Sequence, residues 1–241
     1  PSPLMKKIVL IILISLSIQG YSQSKKGLFA KEPIINLENF QKARVHYGFY
    51  LGFNSFDFKI DYRKVGPDVL VTKTTGFNVG IVGDLKLQEY IHLRFEPGLY
   101  YTMRNLNYPG FTNELDALRE VNSTYIHFPL LLKFSALRTG NIRPYLVGGV
   151  SATLNLSSNS KSIDDNYEQK FRVKPWTRSY ELGFGIDVFS EYFIFSPSIR
   201  GVFGLSDELI RDNDDPLNTS PWTGNIESLK SRAILINFTF H

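Results

Sequence analysis

Between residues 43 and 54 the chain alternates two chemistries with a period of two. Val45, Tyr47, Phe49, Leu51 and Phe53 lie on one side, and Arg44, His46, Gly48, Tyr50, Gly52 and Asn54 on the other. A period of two means a strand, here with one greasy and one polar face. The pattern returns about eight times, with alternately short and long connections, as expected for a membrane barrel, until Ile234, Ile236, Phe238 and Phe240. The repetition predicts an all-β fold: an eight-stranded antiparallel transmembrane β-barrel of the outer-membrane type.

The first strand, 43–54, reads on with a change of phase through Phe56, Phe58, Ile60 and Tyr62, which predicts a bulge between Phe53 and Phe56. The second, 76–87, turns Phe77, Val79, Ile81, Leu85 and Leu87 outward, and the third, 90–104, turns out Ile91, Leu93, Phe95, Leu99, Tyr101 and Met103. In the fourth, 124–134, outward Ile126, Phe128, Leu130, Leu132 and Phe134 alternate with inward His127, Pro129, Leu131 and Lys133. Further strands are expected at 143–156, 176–189, 192–205 and 230–241, with room for a turn or two of amphipathic helix at 113–121.

Connections near Gln88, Thr139-Gly140 and Ser190 are short, whereas those around 55–75, 105–123, 157–175 and 206–229 are long and rich in Asn, Asp, Ser, Gly and Pro. In barrels of this class short turns face the periplasm and long loops the outside, so an even strand count places both termini in the periplasm. Closure also pairs the backbone groups that an open sheet would expose to lipid.

Met5, Lys6 and Lys7 precede an apolar run at 8–18, and Gly20 and Ser22 supply the small residues of a signal-peptidase site before Gln23. The run is too short to span a bilayer. The expected organisation is a signal peptide at 1–22, with residues 1–4 an artefact ahead of an initiator Met5, a periplasmic leader at 23–42, and an outer-membrane barrel at 43–241. The chain has no cysteine, which excludes acylation on cysteine, disulfides and thiolate chemistry.

A mean hydropathy of −0.13 resembles that of a soluble domain. A barrel hides in such an average, because each strand turns half of its residues to a polar interior. Removing Lys6 and Lys7 from the 27 basic residues leaves 25 against 23 acidic ones, so the exported chain is near neutral. With no basic run or recognition helix, nothing points to nucleic acid. Aromatic residues, at 14%, suit the girdles at the two edges of a bilayer.

No catalytic constellation emerges. His46, His92, His127 and His241 lie on different strands without metal-ligand spacing, and Gly183-Phe184-Gly185 lacks the strand-turn-helix setting of a phosphate loop. The acidic stretch at 207–215, with Asp212, Asp214 and Asp215, is interrupted by Pro216 and lacks the turn glycine of a calcium loop, so it reads as a solvated loop. No cofactor, metal or small-molecule substrate is implied.

The candidate functional residues are instead the charges whose phase turns them inward: Asp84, Lys86, Arg94, Glu96, Arg104, Lys133, Glu181, Asp187 and Arg200. An eight-stranded barrel holds side chains but hardly a channel. Buried charges need partners, so the expectation is a plug of ion pairs rather than a conducting or ligand-binding pore.

Several phrases carry a family resemblance. His46-Tyr47-Gly48-Phe49-Tyr50-Leu51-Gly52-Phe53-Asn54, Gly76-Phe77-Asn78-Val79-Gly80, Leu93-Arg94-Phe95-Glu96-Pro97-Gly98-Leu99, Tyr125-Ile126-His127-Phe128-Pro129-Leu130-Leu131-Leu132-Lys133 and Arg143-Pro144-Tyr145-Leu146 resemble the PorT family of outer-membrane β-barrels, also called SprT in gliding bacteria. The fourth and fifth are shared with a wider group of small barrels, and the first three favour PorT. The resemblance implies a non-enzymatic part in type IX protein secretion and, through it, in gliding motility or surface display of proteases. Its implied partners are outer-membrane lipid and other components of that secretion machine. Other readings are a small porin, a loop-mediated ligand-binding or adhesion barrel, and a lipid-modifying barrel enzyme. Phe240, with Phe238 and Ile236 on the same face, resembles the C-terminal signal read by the outer-membrane insertion machinery.

Overall fold

The computed structural model describes residues 36–37, 42–66, 68–213 and 220–241, so the expected signal peptide and most of the leader lie outside the described residues. Ten strands run in chain order: β1 (Val45–Tyr62), β2 (Leu70–Lys73), β3 (Thr75–Lys86), β4 (Ile91–Phe95), β5 (Gly98–Asn107), β6 (Leu118–Ser135), β7 (Ile142–Asn155), β8 (Trp176–Phe189), β9 (Ile194–Gly204) and β10 (Ile226–Phe240). A one-turn helix, α1 (Glu114–Ala117), precedes β6. β2 continues into β3, and β4 and β5 both lie between β3 and β6, so the ten segments make a ring of eight wall strands.

The ring closes because β1 pairs with β10 along one edge, Phe49 opposite Phe240, and with β3 along the other, Phe53 opposite Phe77. No wall strand is left with an open edge in lipid. Following paired residues from Phe53 through Ile236, Ile199, Phe184, Leu146 and Phe134 descends the wall, which is the stagger that tilted barrel strands require.

Glu96 and Pro97 interrupt the third wall strand, since proline brings no N–H to the ladder. Neighbours bridge the gap: Ile81 N–H donates to Pro97 O at 3.1 Å and Glu96 N–H to Pro129 O at 3.3 Å. Tyr50 of β1 lies over the neighbouring strand β3 and donates its hydroxyl to Glu96 O at 3.1 Å. The ring of Tyr50 lies against Gly80, where a Cβ would stand 2.6 Å from it, so this close approach needs glycine.

The outer wall is apolar over about ten residues of each strand, which at about 3.4 Å per residue and a tilt of roughly 40° gives a band of about 26 Å. Phe53, Phe77, Tyr101, Phe128, Tyr180 and Phe203 ring its upper edge, toward the long loops, with Phe77 stacked on Tyr101 at 4.7 Å and Tyr180 on Phe203 at 5.0 Å. Tyr47, Phe134, Phe195 and Phe240 ring the lower edge, where Phe195 and Phe240 pack at 5.2 Å. Exposed side chains such as Leu51, Ile81, Leu130, Leu182 and Ile234 fill the band.

Above the band the pattern inverts. Ser55, Asp57, Lys59 and Asp61 of β1 face outward, while Phe56 and Phe58 are buried inside. The expected bulge between Phe53 and Phe56 is absent: β1 stays in register with β10 past Phe58, and the irregularity falls at Asp61/Tyr62. The change of hydrophobic phase marks the strands leaving lipid for water, not a slip of the backbone. For the same reason β1, β6 and β10 reach well into segments that the sequence assigns to loops.

Candidate functional site

Inward side chains fill the lumen in tiers. Nearest the short turns, Asp187 of β8 accepts from Lys133 of β6 at 2.7 Å, Arg143 of β7 at 2.9 Å and Ser196 of β9 at 2.7 Å. One carboxylate thus ties four consecutive wall strands. Asp84 of β3 lies 2.6 Å from His92 Nδ1 and 3.2 Å from Arg94 Nε, both on β4. A cavity of about 20 Å³ beside His46, Asp84, Lys133 and His241 has room for one water molecule. Phe189 and Ile194, both buried, fill the mouth below, and Asn36, from the segment before β1, crosses it by donating to Asn141 Oδ1 and Phe189 O.

One tier up, Glu96 stands between two guanidinium groups, 3.3 Å from Arg94 and 2.7 Å from Arg200. Arg200 also lies 3.4 Å from Glu181, which meets His127 Nε2 at 2.7 Å. The N–H bonds of Arg200 are not aimed in line at these oxygens, so the contacts are charge contacts rather than hydrogen bonds. The result is one chain of alternating charge, Asp84, Arg94, Glu96, Arg200 and Glu181, which ends at the His127 imidazole. Gly183 on β8 leaves the space that the Arg200 side chain occupies: a Cβ there would come within 2.5 Å of its Cγ.

Above the network Asn78 links Asn54 and Asn237, donating to the latter at 2.8 Å. Arg104 of β5 lies 3.9 Å over the Phe58 ring and donates to Tyr125, to Ser123 at 3.4 Å and to Ser231 at 3.3 Å. Ser231 in turn donates to Glu208 from its backbone N–H at 2.9 Å and its hydroxyl at 2.8 Å. Burial pushes the Glu208 carboxyl above its ordinary value, opposed by the Ser231 bonds and the Arg104 charge. The cations Arg94, Lys133, Arg143 and Arg200 are thus paired with Asp84, Glu96, Glu181 and Asp187, while Arg104 is linked to Glu208 through Ser231.

The long loops fold over this end. Phe171, Val173, Leu209 and Trp222 join Phe58, Leu106, Ile226 and Leu229 in one apolar cluster. Trp222 stacks on Phe111 at 5.3 Å and lies under the Arg119 guanidinium at 5.2 Å. Asp212 accepts from Asn166 Nδ2 at 2.9 Å, Ser220 Oγ at 2.5 Å and Thr223 Oγ1 at 2.9 Å. The sequence predicts a solvated acidic loop here. The structure instead buries Asp212 as the hub of the cap, and Asp214 and Asp215 lie outside the described residues.

Among the sequence-predicted residues, Asp84, Arg94, Glu96, Lys133, Glu181, Asp187 and Arg200 are buried below the asparagine tier and Arg104 above it, whereas Lys86 is half-buried at the short-turn rim. Arg143 is missing from that set although its phase opposes outward Leu146. Glu208 is missing because no periodicity orients a loop residue. Among the described residues no group of three or more His, Asp or Glu is placed to hold a metal ion. Thr153 Oγ1 lies 2.8 Å from His127 Nδ1, which completes a Thr153–His127–Glu181 series. All three are buried, and the series fixes the orientation of the imidazole.

A closed, lipid-facing ring with a polar, packed interior agrees with the family comparison, in which the profile described as outer membrane protein beta-barrel domain matches residues 21–209. The chain belongs to this outer-membrane barrel family. No curated protein sequence matches it. Similar solved structures include OprG from Pseudomonas aeruginosa, at 14% identity and TM-score 0.43 over 81% of this chain and 93% of that one. AlkL in lipid bilayers gives 14% identity and TM-score 0.42 over 90% and 96%. Neisserial surface protein A gives 10% identity and TM-score 0.41 over 80% and 94%.

Proposed function

We propose that this outer-membrane barrel is a non-enzymatic accessory of type IX protein secretion that works through protein contacts, not through its lumen. Its long loops face the outside and both termini face the periplasm. The observation that carries the reading is the filled interior: ion pairs occupy the lumen, Phe189 and Ile194 fill one mouth, and the Trp222 cluster covers the other. What remains for function is the rim, the leader and the lipid-facing wall. The assignment to type IX secretion is supported by the PorT-like phrases in β1, β3 and across β4–β5. Glu96 and Pro97 of that last phrase form the strand break on which Tyr50 and Arg200 converge, and Gly98 beside it leaves room for the Tyr50 hydroxyl.

Deletion of the gene in a type IX-competent bacterium tests this directly. Proteins bearing type IX export signals should accumulate in the periplasm, while uptake of small hydrophilic dyes stays at the parental rate. A deletion strain that secretes normally and loses surface adhesion or ligand binding would replace this reading with that of a loop-mediated binding barrel.

A further inference from the structure

A groove of about 280 Å³ runs down the lipid-facing wall between β9, β10 and β1, at the upper edge of the apolar band. It exists because Gly201, opposite Ile234 of β10 and Leu182 of β8, brings no side chain to an outward position. Phe203 flanks it, its ring 3.0 Å from where a Gly201 Cβ would stand. The floor is apolar and about as deep in the bilayer as the aromatic girdle.

The rim of the groove is cationic. Arg232 pairs in register with Phe203 on one side and Asp57 on the other, yet Asp57 is engaged by Lys73 at 3.2 Å. Among the described residues the Arg232 guanidinium forms no hydrogen bond and no ion pair. One step higher, Lys59 and Lys230 stand directly opposite each other across β1 and β10, with Asp61 3.3 Å from Lys59. Like charges opposed on a sheet face destabilise it unless an anion lies between or beside them. Lys59, Lys73, Lys230 and Arg232 against Asp57 and Asp61 leave an excess of positive charge just above a lipid-sized apolar furrow.

We propose that this furrow seats an acyl chain of a phosphorylated, net-anionic lipid whose phosphate is held by Arg232, with Lys230 and Lys59 completing the charge. Guanidinium binds phosphate in a fork, and basic clusters beside membrane-spanning segments select anionic headgroups. In the orientation proposed above the groove opens to the outer leaflet, so the occupant is a phosphorylated lipid of that leaflet. The site itself does not depend on that orientation.

The full chain is reconstituted in nanodiscs containing equal amounts of lipid A and phosphatidylcholine, and co-retained lipid is counted by native mass spectrometry. A nanodisc has no sidedness, so the measurement tests the site alone, and surface labelling of the long loops in whole cells tests the orientation. Wild type should retain lipid A over phosphatidylcholine, and Arg232→Gln should lower that preference about tenfold, as loss of a charged hydrogen bond implies. Gly201→Leu, which fills the furrow and leaves every charge in place, should lower it too. Arg44→Gln, at the opposite rim, should leave it unchanged. Equal retention of the two lipids by wild type, or an Arg232→Gln variant that retains lipid A like wild type, overturns the proposal.

Discussion

Arg200 of β9 and Glu96 at the β4–β5 break lie 2.7 Å apart, which joins strands on opposite sides of the barrel through its centre. The pair is one link in a chain, and the links differ in redundancy. Without Glu96, Arg94 keeps Asp84 at 3.2 Å and Arg200 keeps Glu181 at 3.4 Å. Without Asp187, neither Lys133 nor Arg143 keeps a carboxylate within ion-pair distance among the described residues.

Asp187→Asn should therefore be the more damaging substitution. Stranding buried charge costs about 3–5 kcal/mol, whereas losing one of two charged contacts on each arginine at Glu96→Gln costs about 1.5–3 kcal/mol. Urea midpoints of the folded, heat-modifiable band on gels give the ranking. Equal losses, or a larger loss at Glu96, would contradict the described connectivity.

Glu208 gives the cap a pH dependence. Its carboxyl holds a proton more tightly when buried under the loops than in the unfolded chain, where 4.5 is ordinary. The folded cap thus binds more protons, so its stability is fully present below 4.5 and falls as pH rises through the raised value. In a Trp176→Phe background, the urea midpoint of Trp222 fluorescence should rise on acidification from about pH 7.5 towards about pH 5. Glu208→Gln should flatten that slope and leave the wall strands intact.

The wall was legible in the sequence because lipid and lumen impose opposite demands on successive residues. Trp176–Phe189 is readable to the residue for that reason. The same logic misleads where the strands leave the bilayer. At Phe56 and Phe58 the apolar face turns inward because water replaces lipid outside, and a reader of periodicity sees a slip. Inward charges such as Asp84 and Arg94 could be picked by parity. Their pairing could not, because partners such as Glu96 and Arg200 come from strands far apart in the chain. The cap was hidden for a related reason: Asp212 looks solvated until Asn166, Ser220 and Thr223 surround it.

Ring closure rests on β10. Ending the chain after Leu235 removes the partners of Phe49, Tyr50, Leu51, Gly52 and Phe53, which lie within the apolar band. The remaining edge would expose unpaired backbone groups to lipid. The truncated protein should be absent from the outer membrane and degraded, as read by immunoblotting of separated envelopes, and wild-type levels of inserted protein would refute closure by β1 and β10.

If this barrel acts without passing solutes through its lumen, single-channel recording of the purified protein in planar bilayers will show a closed wall. With ion pairs at Glu96–Arg200 and Lys133–Asp187 and both mouths filled, the current should stay at the level of the bare membrane. A steady, ohmic conductance from the wild-type protein would show an open lumen and return the molecule to the small porins.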